Sequence, residues 1–226
     1  MLYPQFLDEL KASADEKYRD FHKKLLKNDN VSVLGVRVPT LRSIAKKYKD
    51  EIETLLTFSD EYYEVTFVKL SAVALLPYEE FIKYSDRCVK LIDNWATCDC
   101  FAPKCIAKHK DEFLPFITGY LNEDKEFYQR FALTTLLHYY VEEKYLQTIY
   151  DFLQEADTDF YYVHMAAAWL LAEVIIKFYE EAAKLLTANI EGDFIDGKTH
   201  NKAIQKACES YRLSAEQKTF LKGLKR

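Results

Sequence analysis

One internal similarity constrains this chain more than any other feature. When Tyr128 is set over Tyr162, 34 residues later, Arg130 falls on His164, Ala132 on Ala166, Leu136 on Leu170 and Leu137 on Leu171. Fainter copies place Tyr63 of EYYEVTFVKLSAVALL and Trp95 of DNWATCDCFAPKCIAKH at the corresponding position. Units therefore start near 63, 95, 128 and 162. A period in the low thirties, with two helices per unit, is the signature of an α-solenoid, in which no unit buries its apolar face alone. The sequence predicts inner helices over 62–76, 94–109, 126–140 and 160–178. Segments such as YEEFIKYSDRCVKLI and EEKYLQTIYDFL supply the outer ones. The expectation is an all-α superhelix, a HEAT-like repeat solenoid with a concave groove, built as one domain over 1–226.

Composition agrees. Gly and Pro number five each in 226 residues, too few for the turns of an all-β fold. Within TLRSIAKKYKDEIETLL, Leu41, Ile44, Ala45, Ile52, Leu55 and Leu56 recur at helical spacing, and Pro39 suits a first helical turn. FYQRFALTTLLHYY and YYVHMAAAWLLAEVIIKF are apolar nearly all round, as buried helices are. The longest uncharged run, Phe160 to Ala172, has 13 residues, short of the about 20 a membrane span needs. MLYPQFLDELKASADEK is charged from Asp8 onward and has no signal-peptide core. A cytoplasmic protein with five reduced thiols is expected. The spacing in CDCFAPKC matches no standard zinc pattern, so no metal is assigned.

The net charge of −5 conceals a polarity. Residues 198–226 are net +6 and the first 197 are net −11, while 37–49 carry five basic residues and no acid. Phosphate attraction is local at physiological salt, so two basic segments on one face could hold a polyanion. Lys198, Lys202 and Lys206 form one stripe at four-residue spacing.

No P-loop, dinucleotide fingerprint, HExxH or nucleophile elbow is present. One compact constellation remains. Trp95 and Asp99 are i,i+4 and share a helix face. Pro103 offers no N–H to the Asp99 carbonyl, so the helix should kink or open there. Arg130 lies on the next inner helix and Trp169 on the one after; aligned inner helices would bring all four to one groove. The structural alternatives are core packing for the two Trp residues and an ion pair with Glu126 for Arg130.

The segments LGVRVPTLRSIAKK, WATCDCFAP, YQRFAL, AAAWLLAE and NKAIQKACESYRLS occur in the order seen in the bacterial AlkD-like DNA alkylation repair family, which the chain resembles over nearly its whole length. The resemblance implies a HEAT-like-repeat protein that binds duplex DNA. It implies an N-glycosylase, a hydrolase that releases cationic alkylated purines of the 3-methyladenine and 7-methylguanine type. Asp99, Trp95 and Trp169 would be the catalytic residues. Arg130 would lie on the DNA backbone, and Arg37, Arg42, Lys46, Lys47, Lys198, Lys202 and Lys206, from the two basic segments, are the further residues expected to bind DNA. No cofactor, metal or membrane is implied, and a monomer is expected. One departure stands out. Active members carry Arg three residues after the second Trp, where this chain has Ala172. The alternatives are a non-catalytic binder of distorted or branched DNA, favoured by Ala172, and a protein-interaction solenoid, favoured by the acidity.

Overall fold

The computed structural model describes every residue except Met1, Lys27 and Asp29. Among the described residues the secondary structure is helical, and the only β pairing is an isolated bridge between Ser32 and Tyr62. The packing divides into two compact units, one ending at His109 and the other running from Lys110 to Arg226.

The first unit holds α1 (Tyr3–Ala12), α2 (Glu16–Leu26), α3 (Val38–Tyr48), α4 (Ile52–Leu56), α5 (Tyr63–Val73), α6 (Tyr78–Val89) and α7 (Trp95–Cys100), followed by a 3-10 turn, Lys104–Lys108. Helix α5 is its centre and is buried on almost every side, with α3, α4, α6 and α7 packed around it. The predicted periodicity over 41–56 is real, and all six apolar positions are buried. It is nevertheless split between α3 and α4 by a turn at Lys49–Glu51.

Two fully buried charges fasten loops to α5. Glu64 accepts the backbone N–H groups of Leu34 (2.9 Å), Gly35 (2.7 Å) and Val36 (3.3 Å). Lys69 donates to the Phe58 carbonyl (2.6 Å) and to Asp60 (2.8 Å). Buried ions persist only where such partners replace water. Gly35 has φ +94°, and a Cβ there would lie 2.4 Å from the Asp15 carbonyl oxygen, so the loop entering α3 requires glycine.

The second unit contains α8 (Lys110–Leu121), α9 (Glu126–Tyr139), α10 (Leu146–Glu155), α11 (Tyr161–Lys177), α12 (Tyr179–Gly192), α13 (Gly197–Cys208) and α14 (Ala215–Gly223). Helix α11 packs between α9 and α13, and α8, α10, α12 and α14 lie behind this row. The row is the inner layer that the Tyr128–Tyr162 repeat predicts. It extends one helix further than the sequence reading, through α13.

The inner helices α5, α9 and α11 match their predicted spans within a few residues. The span 94–109 does not form one helix. Helix α7 stops at Cys100, Phe101 leaves helical geometry (φ −81°, ψ 78°), and a 3-10 turn follows Pro103. The missing Pro103 N–H predicted this opening. No described helix is long and apolar enough to cross a membrane.

Candidate functional site

Helix α7 is only six residues long, so its start has to be fixed by side chains. Asn94 does this. Its Oδ1 accepts the Thr97 N–H (3.0 Å), and the Thr97 hydroxyl returns a bond to the Asn94 carbonyl (3.0 Å). Trp95 is thereby the first helical residue, and Asp99 follows one turn later on the same face. Both are half-buried. The Trp95 indole N–H donates to the Leu25 carbonyl on α2 (3.2 Å), which fixes the ring plane.

A cation stands beside the last residue of this helix. Arg42, exposed on α3, lies near the Cys100 thiol. Burial pushes that thiol up, the Arg42 charge pulls it down, and the adjacent Asp99 adds to the rise. Cys88, the most deeply buried thiol, is pushed up to about 12 by desolvation. Cys105 is also raised by burial, and none of the five cysteines is in a disulfide. Cys88 and Cys98 are buried, and Cys100, Cys105 and Cys208 are partly buried.

The basic residues of 37–49 divide by role. Arg37 pairs with Asp15 (2.9 Å) and covers the Tyr18 ring. Lys47 pairs with Glu9 (2.8 Å). Arg42 and Lys46 are exposed and one turn apart on α3. Arg42 and Lys46 thus remain available to a ligand, while Arg37 and Lys47 also tie α3 to the chain N-terminal to it.

In the second unit Arg130 is 6% exposed, and its Nη1 donates to the Tyr162 carbonyl (2.7 Å). Glu126, the ion-pair partner considered from sequence, accepts the Tyr162 N–H (2.7 Å). The two side chains of α9 therefore hold both backbone groups of Tyr162 at the start of α11. Trp169 is half-buried, with the exposed His138 of α9 at its ring edge, centroids 6.5 Å apart. Lys198, Lys202 and Lys206 follow the outward side of α13, with Lys198 exposed and the other two partly so. His164 bonds Thr199 (2.9 Å), and its imidazole is held below the usual range by burial, against the opposing charge of Asp196 and with Lys198 and Lys202 adding to the fall. Those two lysines are thus adjacent to α11.

Ala172 is 2% exposed. The departure from W-x2-R-E therefore lies at a packed position, and a long side chain there would have to displace its neighbours.

Trp95, Asp99, Arg37, Arg42, Lys46 and Lys47 lie in the first unit, and Arg130, Trp169, Lys198, Lys202 and Lys206 in the second. Within each unit one half-buried Trp stands on an inner helix with exposed cations on a neighbouring one. The sequence reading missed His138 and His164, neither of which has a local motif to mark it.

The family model described as DNA alkylation repair enzyme matches residues 6–207. This chain belongs to the DNA alkylation repair enzyme family, and its all-α architecture agrees with that assignment. A search of curated proteins finds no match.

Proposed function

We propose that the protein is a DNA N-glycosylase that releases cationic alkylated purines, of the 3-methyladenine and 7-methylguanine type, from duplex DNA. Asp99, Trp95 and Trp169 are its catalytic residues. The observation that carries this reading is the pairing of Trp95 with Asp99 on a capped six-residue helix, both half-buried, with Arg42 near the thiol of the adjacent Cys100. An alkylated purine bears positive charge before reaction and leaves readily. Cleavage of its bond to C1′ returns the bonding electrons to the base and puts positive charge on the sugar. The Asp99 carboxylate opposes that charge and orients the water whose oxygen adds to C1′, with loss of one proton. Indole faces attract electropositive C–H bonds, a relative of the cation–π attraction. Arg42, Lys46, Lys198, Lys202 and Lys206 bind phosphates. Arg130, bonded to the Tyr162 carbonyl, acts chiefly by positioning α11.

Single-turnover release of alkylated base from methylated duplex DNA tests the reading. Asp99→Asn keeps DNA affinity and loses about a hundredfold in rate, the usual cost of one preorganised electrostatic group. Equal rates would remove Asp99 from the chemistry. A second reading, a non-catalytic binder of distorted or branched DNA, is favoured by the buried Ala172. It requires salt-dependent binding with no base release from the natural protein.

A further inference from the structure

The outward face of α11 carries Met165, Trp169 and Glu173 at successive four-residue steps, each half-buried. Glu173 is engaged by a residue from beyond α13. The Arg212 Nη2 donates to Glu173 Oε2 at 2.9 Å. The Arg212 side chain is 59% exposed, and its other guanidinium N–H groups meet no acceptor among the described residues. Glu173 is one helical turn, about 6 Å, along α11 from Trp169. On the neighbouring helix Lys198, Lys202 and Lys206 run toward the same end, and none of them has an ion-pair partner among the described residues.

Resting on the function proposed above, we propose that Arg212 is a DNA phosphate ligand. It is oriented by Glu173, extends the lysine line of α13 and ends it beside Trp169. Position 172, one residue from Glu173, is packed and cannot present a cation to solvent. Arg212 supplies that charge from the loop between α13 and α14. A guanidinium suits the task, because its planar fork can give one edge to a carboxylate and another to a phosphate. Glu173 cancels part of the charge at long range and restricts the guanidinium to one place, so the contact is short-ranged and specific in position.

The test is the salt dependence of binding to undamaged duplex DNA by the full chain. Each phosphate contact contributes about 0.9 to the slope of log affinity against log salt. Arg212→Ala lowers the slope by about 0.9, so its deficit grows about eightfold for each tenfold dilution of salt. Arg212→Lys restores the slope, and Lys202→Ala lowers it in parallel. Because Arg212 and Glu173 form an exposed pair, removing it leaves the fold intact, which an unchanged thermal transition verifies. A slope that falls for Lys202→Ala and stays constant for Arg212→Ala overturns the assignment of Arg212 and leaves the DNA-binding reading standing. A natural protein with no salt-dependent DNA binding overturns both.

Discussion

Replacing Glu64 tests how the first unit holds its basic helix in place. Its two carboxylate oxygens divide the work: Oε1 accepts the N–H groups of Gly35 and Val36, and Oε2 accepts that of Leu34. Glu64→Ala leaves all three without an acceptor. Leu34 is partly exposed, so water can take its bond, but Gly35 and Val36 are buried. A buried donor left unsatisfied costs about 1–3 kcal/mol, giving about 2–6 kcal/mol for the two. That is a large share of the 5–15 kcal/mol typical of a domain. Glu64→Gln keeps one oxygen for Gly35 and Val36 and turns its amide toward Leu34, whose N–H can find water. Its cost should stay near that of one bond, about 1–2 kcal/mol. Urea denaturation at constant m-value measures both. The loop leads directly into Arg37 and α3, so Glu64→Ala should also weaken DNA binding below the denaturation midpoint. A loss under about 1 kcal/mol for Glu64→Ala, or equal losses for the two variants, would refute the bond-by-bond account.

Two further outcomes follow from single side chains. Asn94→Ala removes the cap of α7 and should cost about 1 kcal/mol, with a larger fall in base release because Trp95 and Asp99 lose their register, whereas Asn94→Asp should restore both; denaturation and single-turnover assays on the same three proteins check this. His22 and His200 are buried, and desolvation holds both imidazoles below the ordinary value near 6.5. The unfolded chain binds more protons than the folded one between the two values, so stability is complete above about pH 6.5 and falls as pH drops through it. His22→Phe should flatten that fall, since the His22 Nε2 has no hydrogen-bond partner among the described residues to lose; midpoints measured from pH 8 to 5.5 read the difference.

What was legible in the sequence was what repeats or what lies close along the chain. The Tyr128–Tyr162 register found α9 and α11, because two adjacent helices buried on most sides repeat the same apolar positions. Pro103 marked the opening after α7 through a missing donor four residues from Asp99. Helix α13 escaped the repeat because one of its faces carries Lys198, Lys202 and Lys206, and polar residues there hide the periodicity. Buried charges were illegible for a different reason. The sequence reading gave Glu64 and Lys69 no role, and both are fully buried. The acceptors and donors that make this affordable belong to loops 34–36 and 58–60, which no spacing along α5 reveals. Arg130 read as a DNA-backbone contact or an ion-pair partner of Glu126, and it also bonds a backbone carbonyl 32 residues away.

The net charge of −5 argued against a polyanion partner, and the disposition of the cations answers that argument. Lys69 and Arg130 are buried and hold backbone, and Arg37 and Lys47 pair with acids at the surface. Lys46, Lys198, Lys202 and Lys206 carry no ion-pair partner among the described residues. Ionic screening at physiological salt extends only about 8 Å, so a phosphate close to α13 responds to three lysines within about 12 Å of helix and little to acids on remote surfaces. Net charge sets how the whole molecule behaves at long range; affinity for a backbone is set by the cations left unpaired where the backbone lies. By that measure α13 offers a phosphate more than the composition of the chain suggests.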